Sequence, residues 1–253
     1  MRAVTLALLL CPLAALAGEA TRSAFGPGEQ LTFAVSYLGL PAGTAQVTVG
    51  WKMEQYGTEV WPLVCVGQTT DLAAMYPLRD RFVSYWDPKH QRAVGADFFV
   101  DENKKRRRDR YRYDAEARKA FITRQAEGQA QVEREYDIED GTEDLAAASY
   151  GLRNVPLEVG AVHEVPIFTG HKVYRLRATV EAKESVTTTL GTFDAYRVSV
   201  NGDFNGGLRT RGNMTIWYTA DARQLPVRGE AEFFIGAVVL DAVRYEPGRG
   251  DAP

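Results

Sequence analysis

The sequence is poor in the residues that build disulfides, metal centres and nucleophilic sites. It contains two cysteines and three histidines in 253 residues. Cys11 lies in the apolar amino-terminal stretch, and Cys65 lies in the apolar segment 60–66, where a buried thiol is favoured over a reactive one. The histidines form no i, i+4 pair and have no neighbouring cysteine. The sequence therefore predicts no metal site and no cofactor.

Motifs of catalysis and of nucleotide binding are also missing. No Gly-x-Ser-x-Gly, Ser-x-x-Lys or Gly-x-x-x-x-Gly-Lys occurs, so the local geometry of the common hydrolases and phosphate-binding loops is absent. Segment 201–207 resembles the first half of a calcium loop, but Arg209 and Gly212 stand where further oxygen ligands would be needed. We interpret it as a Gly-rich turn and predict that the protein is not an enzyme.

Long apolar runs are confined to the amino terminus. Residues 1–17 combine Arg2, an apolar run and an Ala-x-Ala cleavage site, which predicts a signal peptide and a periplasmic or secreted protein. The run is too short for a membrane span, which needs about 20 apolar residues. Lipidation of Cys11 is disfavoured because the large Leu10 precedes it. The net charge of −3 gives no indication of nucleic acid as a partner.

Alternation of apolar and polar residues dominates the rest of the chain. Residues 31–37 place apolar side chains on one face, and after the Gly/Pro turn 39–43 the alternation resumes over 44–53, which predicts a hairpin. Further strands are predicted at 60–69, 81–86, 92–100, 106–113, 119–124, 131–136, 162–169, 173–183, 196–204, 214–219, 227–235 and 237–245. The fold class is therefore mostly β, a single antiparallel curved sheet or partly open barrel of about a dozen strands.

Two short helices are predicted, at 71–76 and 143–153, with Thr142 as a cap of the second helix and Asp144 at the positive end of its dipole. No linker divides the chain. We expect one β-rich domain over 18–246 and a flexible tail over 247–253.

The opening segment 28–45 resembles the bacterial exported family catalogued as domain of unknown function 3108. Similar features follow at 84–87, 144–153, 156–160, 191–193 and 217–236, so that nearly all of the chain after the signal is covered. The helix departs from the family pattern at Gly151, where a second aromatic or apolar residue is usual. The resemblance implies a fold but no activity, and the fold is similar to that of periplasmic lipoprotein carriers built as a curved sheet around a helix.

A curved sheet with bulky inward side chains predicts an apolar groove for a lipid or another hydrophobic ligand. A filled core is the alternative. The predicted ligand-binding residues are Phe33, Tyr37, Val49, Trp51, Met53, Trp217 and Phe233.

A basic stripe interrupts this acidic chain. We expect it either to contact an anionic membrane surface or to be a solvated edge strand or hairpin that blocks strand addition. The stripe consists of Lys104, Lys105, Arg106, Arg107, Arg108 and Arg110. The alternative function is a structural or protein-interaction module of the envelope, whose partners the sequence leaves open.

Overall fold

Apolar and polar residues alternate along the chain in strands that pair almost wholly with their sequence neighbours. The computed structural model describes residues 23–69, 79–102, 105–202, 213–232 and 236–249. These ranges contain fifteen strands: β1 Gln30–Tyr37, β2 Leu40–Val49, β3 Met53–Gln55, β4 Thr58–Thr69, β5 Arg79–Asp87, β6 Arg92–Glu102, β7 Lys105–Asp114, β8 Lys119–Ala126, β9 Val132–Asp137, β10 Val162–Phe168, β11 Val173–Thr188, β12 Gly191–Gly202, β13 Asn213–Thr219, β14 Pro226–Glu232 and β15 Ala237–Glu246.

All neighbouring strands in the sheet are antiparallel. The order is β10-β11-β12-β13-β14-β15-β1-β2-β4-β5-β6-β7-β8-β9, and β3 pairs only with β4. The first and last strands in sequence, β1 and β15, are joined at the centre, whereas the edge strands β9 and β10 are consecutive in the chain. The chain therefore leaves the sheet at one edge and returns at the other.

The connection between the two edges carries the helix α1, Leu145–Gly151, which continues as a 3-10 turn, Leu152–Asn154. The helix packs against β4, β5, β6 and also β10, which lies at the far end of the strand order. Only a sheet that curls around the helix can bring these strands to it. Among the described residues, no helix is long and apolar enough to cross a membrane.

Aromatic side chains hold the two edges together without a backbone ladder. The rings of Tyr136 on β9 and Phe168 on β10 lie 5.5 Å apart, and Tyr111 on β7 lies 5.9 Å from Phe168. Glu143 bridges to Ile167 on β10 through two backbone hydrogen bonds. The prediction of a mostly β, partly open barrel from one antiparallel sheet is therefore confirmed.

Two local predictions are corrected. The first hairpin turns at Leu38 and Gly39, which both have positive φ, so β2 begins at Leu40 instead of after residue 43. Asp144, not Thr142, caps the helix, because its carboxylate accepts from the Ala147 N–H while the Thr142 hydroxyl donates to the Glu139 carbonyl. The helix predicted at 71–76 lies outside the described residues.

A buried ion pair fixes the amino-terminal segment beneath the helix. Arg153 donates two hydrogen bonds to the Glu29 carboxylate, at 2.5 and 3.0 Å, and one to the Ala24 carbonyl at 3.1 Å. Its guanidinium also lies over the ring of Phe25. At the other end of the chain, the Arg249 N–H donates to the Pro27 carbonyl at 3.0 Å, so residues up to 249 pack on this segment.

Candidate functional site

The helix α1 packs on β4, β5 and β6 and, at the other edge of the sheet, on β10. Ala146, Ala147 and Tyr150 are buried, and Tyr150 packs among aromatic residues of the core near β4 and β5. On the opposite side of the helix, Leu145 is 51% exposed and Ser149 is half-buried. Space is therefore left between this side of the helix and strands β13–β15.

An apolar cavity of about 190 Å³, open to the surface on one side, occupies this space. Its walls come from β1, β2, β13, β14, β15 and the helix. The apolar lining includes Leu31, Phe33, Tyr150, Ile216, Gly229 and Leu240. The polar residues Ser149, Arg228 and Glu230 also border the cavity, but most of its surface is apolar, which is what a hydrocarbon chain needs for burial away from water.

Small residues on the inner face of β14 create the cavity. Gly229 lies opposite Ile216 in the β13–β14 pair, and Ala231 lies opposite Met214. A Cβ added at Gly229 would meet only the Cβ of Leu240, at 3.9 Å. The missing side chain at position 229 therefore leaves volume that no neighbour fills.

Two tyrosines border this region with different hydrogen bonding. The Tyr218 hydroxyl donates to the Ser149 carbonyl at 3.1 Å, and burial raises the pKa of Tyr218 to about 12. The Tyr150 hydroxyl is buried and has no hydrogen-bond partner among the described residues. Burial also raises the pKa of Tyr150 above its ordinary value, so both phenols stay protonated at neutral pH.

A second groove of about 580 Å³ lies on the other side of the helix, beside β10; its lining is mixed, and we call it the polar groove after its acidic residues. A third space, of about 30 Å³, lies between the groove and the apolar cavity. It shares the lining residues Ala148 and Leu152 with the groove and Ser149 with the cavity. The three spaces follow the helix in series. The interior is therefore apolar beneath β14 and acidic at β10.

Two buried carboxyl groups at the start of the helix face different partners. Glu143 lines the groove and accepts from the Ala93 N–H at 2.7 Å, and burial raises its pKa well above the ordinary value. Asp144 accepts from the Ser84 hydroxyl at 2.6 Å, and burial raises its pKa to about 6. Nearby, burial and then the charge of Asp144 raise the pKa of the Cys65 thiol to about 12, so the thiolate is negligible at neutral pH.

The structure separates the residues predicted to bind a ligand. Phe33 lines the apolar cavity, whereas Val49 belongs to the aromatic core on the other half of the sheet. Trp51 is 48% exposed, and Tyr37 and Met53 are also exposed. The common apolar face expected for this hairpin is not formed, because β2 ends at Val49 and β3 pairs only with β4.

Of the two late aromatic residues of that prediction, Trp217 lies in the described part of the chain. The indole N–H of Trp217 donates to the Glu184 carboxylate at 2.7 Å, and its ring packs against the core cluster that contains Leu31. Phe233 lies outside the described residues. Contact of any of the seven residues with a ligand stays a prediction.

The basic stripe lies on β7, which pairs with both β6 and β8. The interpretation as an edge strand is therefore wrong, and the stripe is one arm of an internal hairpin. Each described arginine faces a carboxylate: Arg106 contacts Asp101 at 3.3 Å, Arg107 contacts Asp109 at 3.1 Å, and Arg108 and Arg110 contact Asp97 at 2.6 and 4.0 Å.

Lys104 lies outside the described residues, and Lys105 begins β7. Because aspartates of β6 and β7 compensate the arginines, the stripe carries less net charge than its sequence indicates. Its contact with an anionic surface stays a prediction.

Comparisons with known proteins identify the family and the fold but give no activity. The model of the family described as protein of unknown function DUF3108 matches residues 32–243. The structure is similar to a β-barrel-like protein of the domain of unknown function DUF1849 from Brucella abortus, with 9% identity, 88% of this chain and 98% of that chain covered, and a TM-score of 0.60.

A second similar structure is a protein with a YmcC-like fold from Bacteroides fragilis, with 12% identity, coverage of 89% of this chain and 100% of that chain, and a TM-score of 0.38. No curated protein matches the chain. At 9% identity, the likeness to the protein from Brucella abortus shows the β-barrel-like fold alone.

The sequence pattern contained a signal for the cavity that the prediction did not use. Bulky aromatic residues drew attention to the first hairpin, whereas the cavity depends on small residues at alternate positions of β14, Gly229 and Ala231. A glycine inside a strand weakens it and marks a place where something approaches the backbone closely. Gly229 is therefore the residue from which the cavity could have been predicted.

Proposed function

The chain belongs to the DUF3108 family of proteins of unknown function, so we propose its function from its geometry. We propose that it is an exported cell-envelope protein that binds a lipid or another hydrophobic ligand in the cavity beneath β14. The export part of the proposal is supported by the signal-peptide pattern of residues 1–17. The binding part is supported by the cavity and assigns the protein no catalysis.

The single observation that carries the proposal is the apolar cavity of about 190 Å³. Close-packed interiors hold few voids larger than a water molecule. An engineered apolar cavity of about 150 Å³ in another protein stays dry and binds benzene. A cavity of this size therefore suits a short hydrocarbon segment, such as part of an acyl chain.

Filling the cavity tests the proposal. Gly229→Leu should place its side chain in the cavity, because only the Cβ of Leu240 lies near the added Cβ. We expect at least tenfold weaker binding of a dansylated undecanoic acid, measured by fluorescence titration. Ala34→Leu is the matched control, since it adds similar bulk at an exposed position of β1, a strand that also contributes to the cavity wall.

The folded state of both variants is checked by circular dichroism and thermal unfolding. If folded Gly229→Leu binds the probe as tightly as the wild type does, the probe lies elsewhere and the proposed cavity is wrong. If Ala34→Leu weakens binding as much as Gly229→Leu does, the effect is not local to the cavity and contradicts the proposal equally.

A further inference from the structure

The seam between the two sheet edges is open along part of β10. The Glu143 N–H donates to the Pro166 carbonyl and the Phe168 N–H donates to the Glu143 carbonyl, both at 2.9 Å. The backbone groups of residues 166 and 168 therefore point away from β11. Because these directions alternate along a strand, the N–H and C=O groups of Val162 and Glu164 also point to the open side.

No described residue pairs with the outward backbone groups of Val162 and Glu164. The bridge formed by Glu143 is one residue long, because Asp144 caps the helix and the chain turns away from the edge. In this parallel bridge, Glu143 pairs with the edge of β10 in the way that one residue of an added strand would. Beyond it, the partner of β10 is missing over the described part of the chain.

The polar groove of about 580 Å³ runs beside this uncovered part of β10. Its lining includes residues 162–166 of β10, the helix residues Ala147 and Gly151, and Asp140 and Gly141 from the connection. A Cβ added at Gly151 would lie 3.5 Å from the indole of Trp86. The groove is therefore bounded by a strand edge on one side and a small-residue face of the helix on the other.

The charged residues that line the groove are all acidic. Asp140, Glu143 and Glu164 contribute carboxyl groups, and no lysine or arginine is among the described residues that line it, but Arg177 of β11 already contacts Glu164 at 3.9 Å. Glu143 is buried with one hydrogen bond, from the Ala93 N–H, and the Nε2 atom of His163 is buried without a partner in the described part of the chain. A ligand with a cationic group would compensate these carboxylates.

The opposite edge of the sheet is protected by charges. On β9 the exposed side chains include Glu133, Arg134, Glu135 and Asp137, which is the usual defence of an edge against strand addition. On β10 the exposed side chains are Val162, at 41% exposure, and one charged residue, Glu164, and the strand also contains Pro166. β10 therefore carries less charge than β9, and its outward N–H groups at Val162 and Glu164 are left for a partner.

We propose that β10 receives an extended peptide segment of a partner protein by strand addition, with a lysine or arginine side chain of that segment directed at Glu143 and Asp140. Main-chain hydrogen bonds to Val162 and Glu164 give such a complex its affinity, and side-chain pockets give it specificity. This site is separate from the apolar cavity beneath β14.

Amide hydrogen exchange with a defined peptide tests the proposal. The probe is a blocked hexapeptide of alternating valine and threonine in which one central residue is lysine. We expect binding by fluorescence anisotropy and at least tenfold slower exchange of the Glu164 amide. The amides of His163 and Val165 should not change, because they already face β11.

Peptide variants separate the two parts of the recognition. The same peptide with glutamate in place of lysine should bind at least tenfold more weakly, and so should the peptide with N-methylated backbone groups. Spermidine serves as a cation without a backbone. If spermidine competes as well as the lysine peptide, the groove is a cation site and strand addition is wrong.

Protein variants test the same two parts. Glu164→Pro removes one outward N–H, and Pro166 shows that the same register of β10 accommodates proline. Glu164→Gln keeps that N–H and should retain most of the affinity, whereas Asp140→Asn combined with Glu143→Gln should lose the preference for lysine. Glu116→Gln, at an exposed position outside the groove, is the control.

An unprotected Glu164 amide in the presence of saturating peptide would overturn the proposal, as would equal binding of the lysine and glutamate peptides. Should Glu164→Pro fail to fold, the N-methylated peptide gives the same test on the wild-type protein. The outcome is independent of the proposed lipid site, because Gly229→Leu should bind the peptide normally and Glu164→Pro should bind the fatty-acid probe normally.

Discussion

Removing Arg153 should destabilise the fold more than any surface substitution. Its guanidinium makes four hydrogen bonds, two to Glu29 and one each to the carbonyls of Ala24 and Arg223. Glu29 is 1% exposed, and after Arg153→Met its carboxylate would keep only the Tyr245 hydroxyl, at 3.4 Å, as a side-chain donor among the described residues.

The size of the effect follows from the uncompensated charge. Breaking a buried ion pair by removing one partner costs about 3–5 kcal/mol, against a total stability of about 5–15 kcal/mol for a natural domain. At about 2–4 °C per kcal/mol for a chain of this size, the melting temperature should fall by about 6–20 °C. Urea unfolding followed by tryptophan fluorescence measures the free energy directly.

Two further variants show whether the buried charge is the cause. Adding Glu29→Leu to Arg153→Met removes the unpaired carboxylate, so the double variant should be more stable than Arg153→Met alone. Arg223→Gln removes an ion pair with Asp221 whose side chains are both more than 40% exposed, and should cost at most about 1 kcal/mol. A loss below about 1 kcal/mol for Arg153→Met would refute the reasoning.

Three other outcomes are expected. Because burial raises the pKa of Asp144 from 3.8 to about 6, its protonation stabilises the fold below pH 4 and this contribution of about 3 kcal/mol is lost as the pH rises through 6. Urea unfolding of Asp144→Asn, which keeps a capping side chain, should lack this part of the pH dependence, and an unchanged profile would contradict the burial argument. Trp51→Arg should keep both the fold, checked by circular dichroism, and the binding of the fatty-acid probe, since Trp51 is half exposed outside the cavity. Loss of probe binding by the folded variant would place Trp51 in the site, and loss of the fold would place it in the core. Any binding of the basic stripe to anionic lipid vesicles, measured by sedimentation, should weaken as the salt concentration rises, because exposed charges are screened over about 8 Å at physiological salt. Binding that does not depend on salt would exclude the stripe as its cause.

The strands were predictable because their information is local. In β1 the alternation of residues 31–37 shows the half-buried face directly, and most predicted strands differ from the observed ones by a few residues at their ends. β11 runs to Thr188, past the predicted end at Lys183. The prediction stopped early because the Ser/Thr-rich end of this strand lacks apolar alternation, although Val186 is buried.

The site depends on pairings distant in sequence. The cavity forms where β1 meets β15 and where the helix returns beneath β14, and no local pattern specifies either contact. The outward position of Trp51 follows from the end of β2 at Val49. By contrast, the compensation of the basic stripe was available from the sequence, because the register that pairs Glu102 with Lys105 also sets Asp101 opposite Arg106 and Asp97 opposite Arg110.

Native mass spectrometry of the protein purified without detergent from the envelope that produces it tests the central claim most directly. The account predicts an additional non-covalent mass on the wild type and on Ala34→Leu that is lost from Gly229→Leu, whose cavity is filled. A wild-type spectrum without any bound mass, or the same bound mass on folded Gly229→Leu, would contradict it.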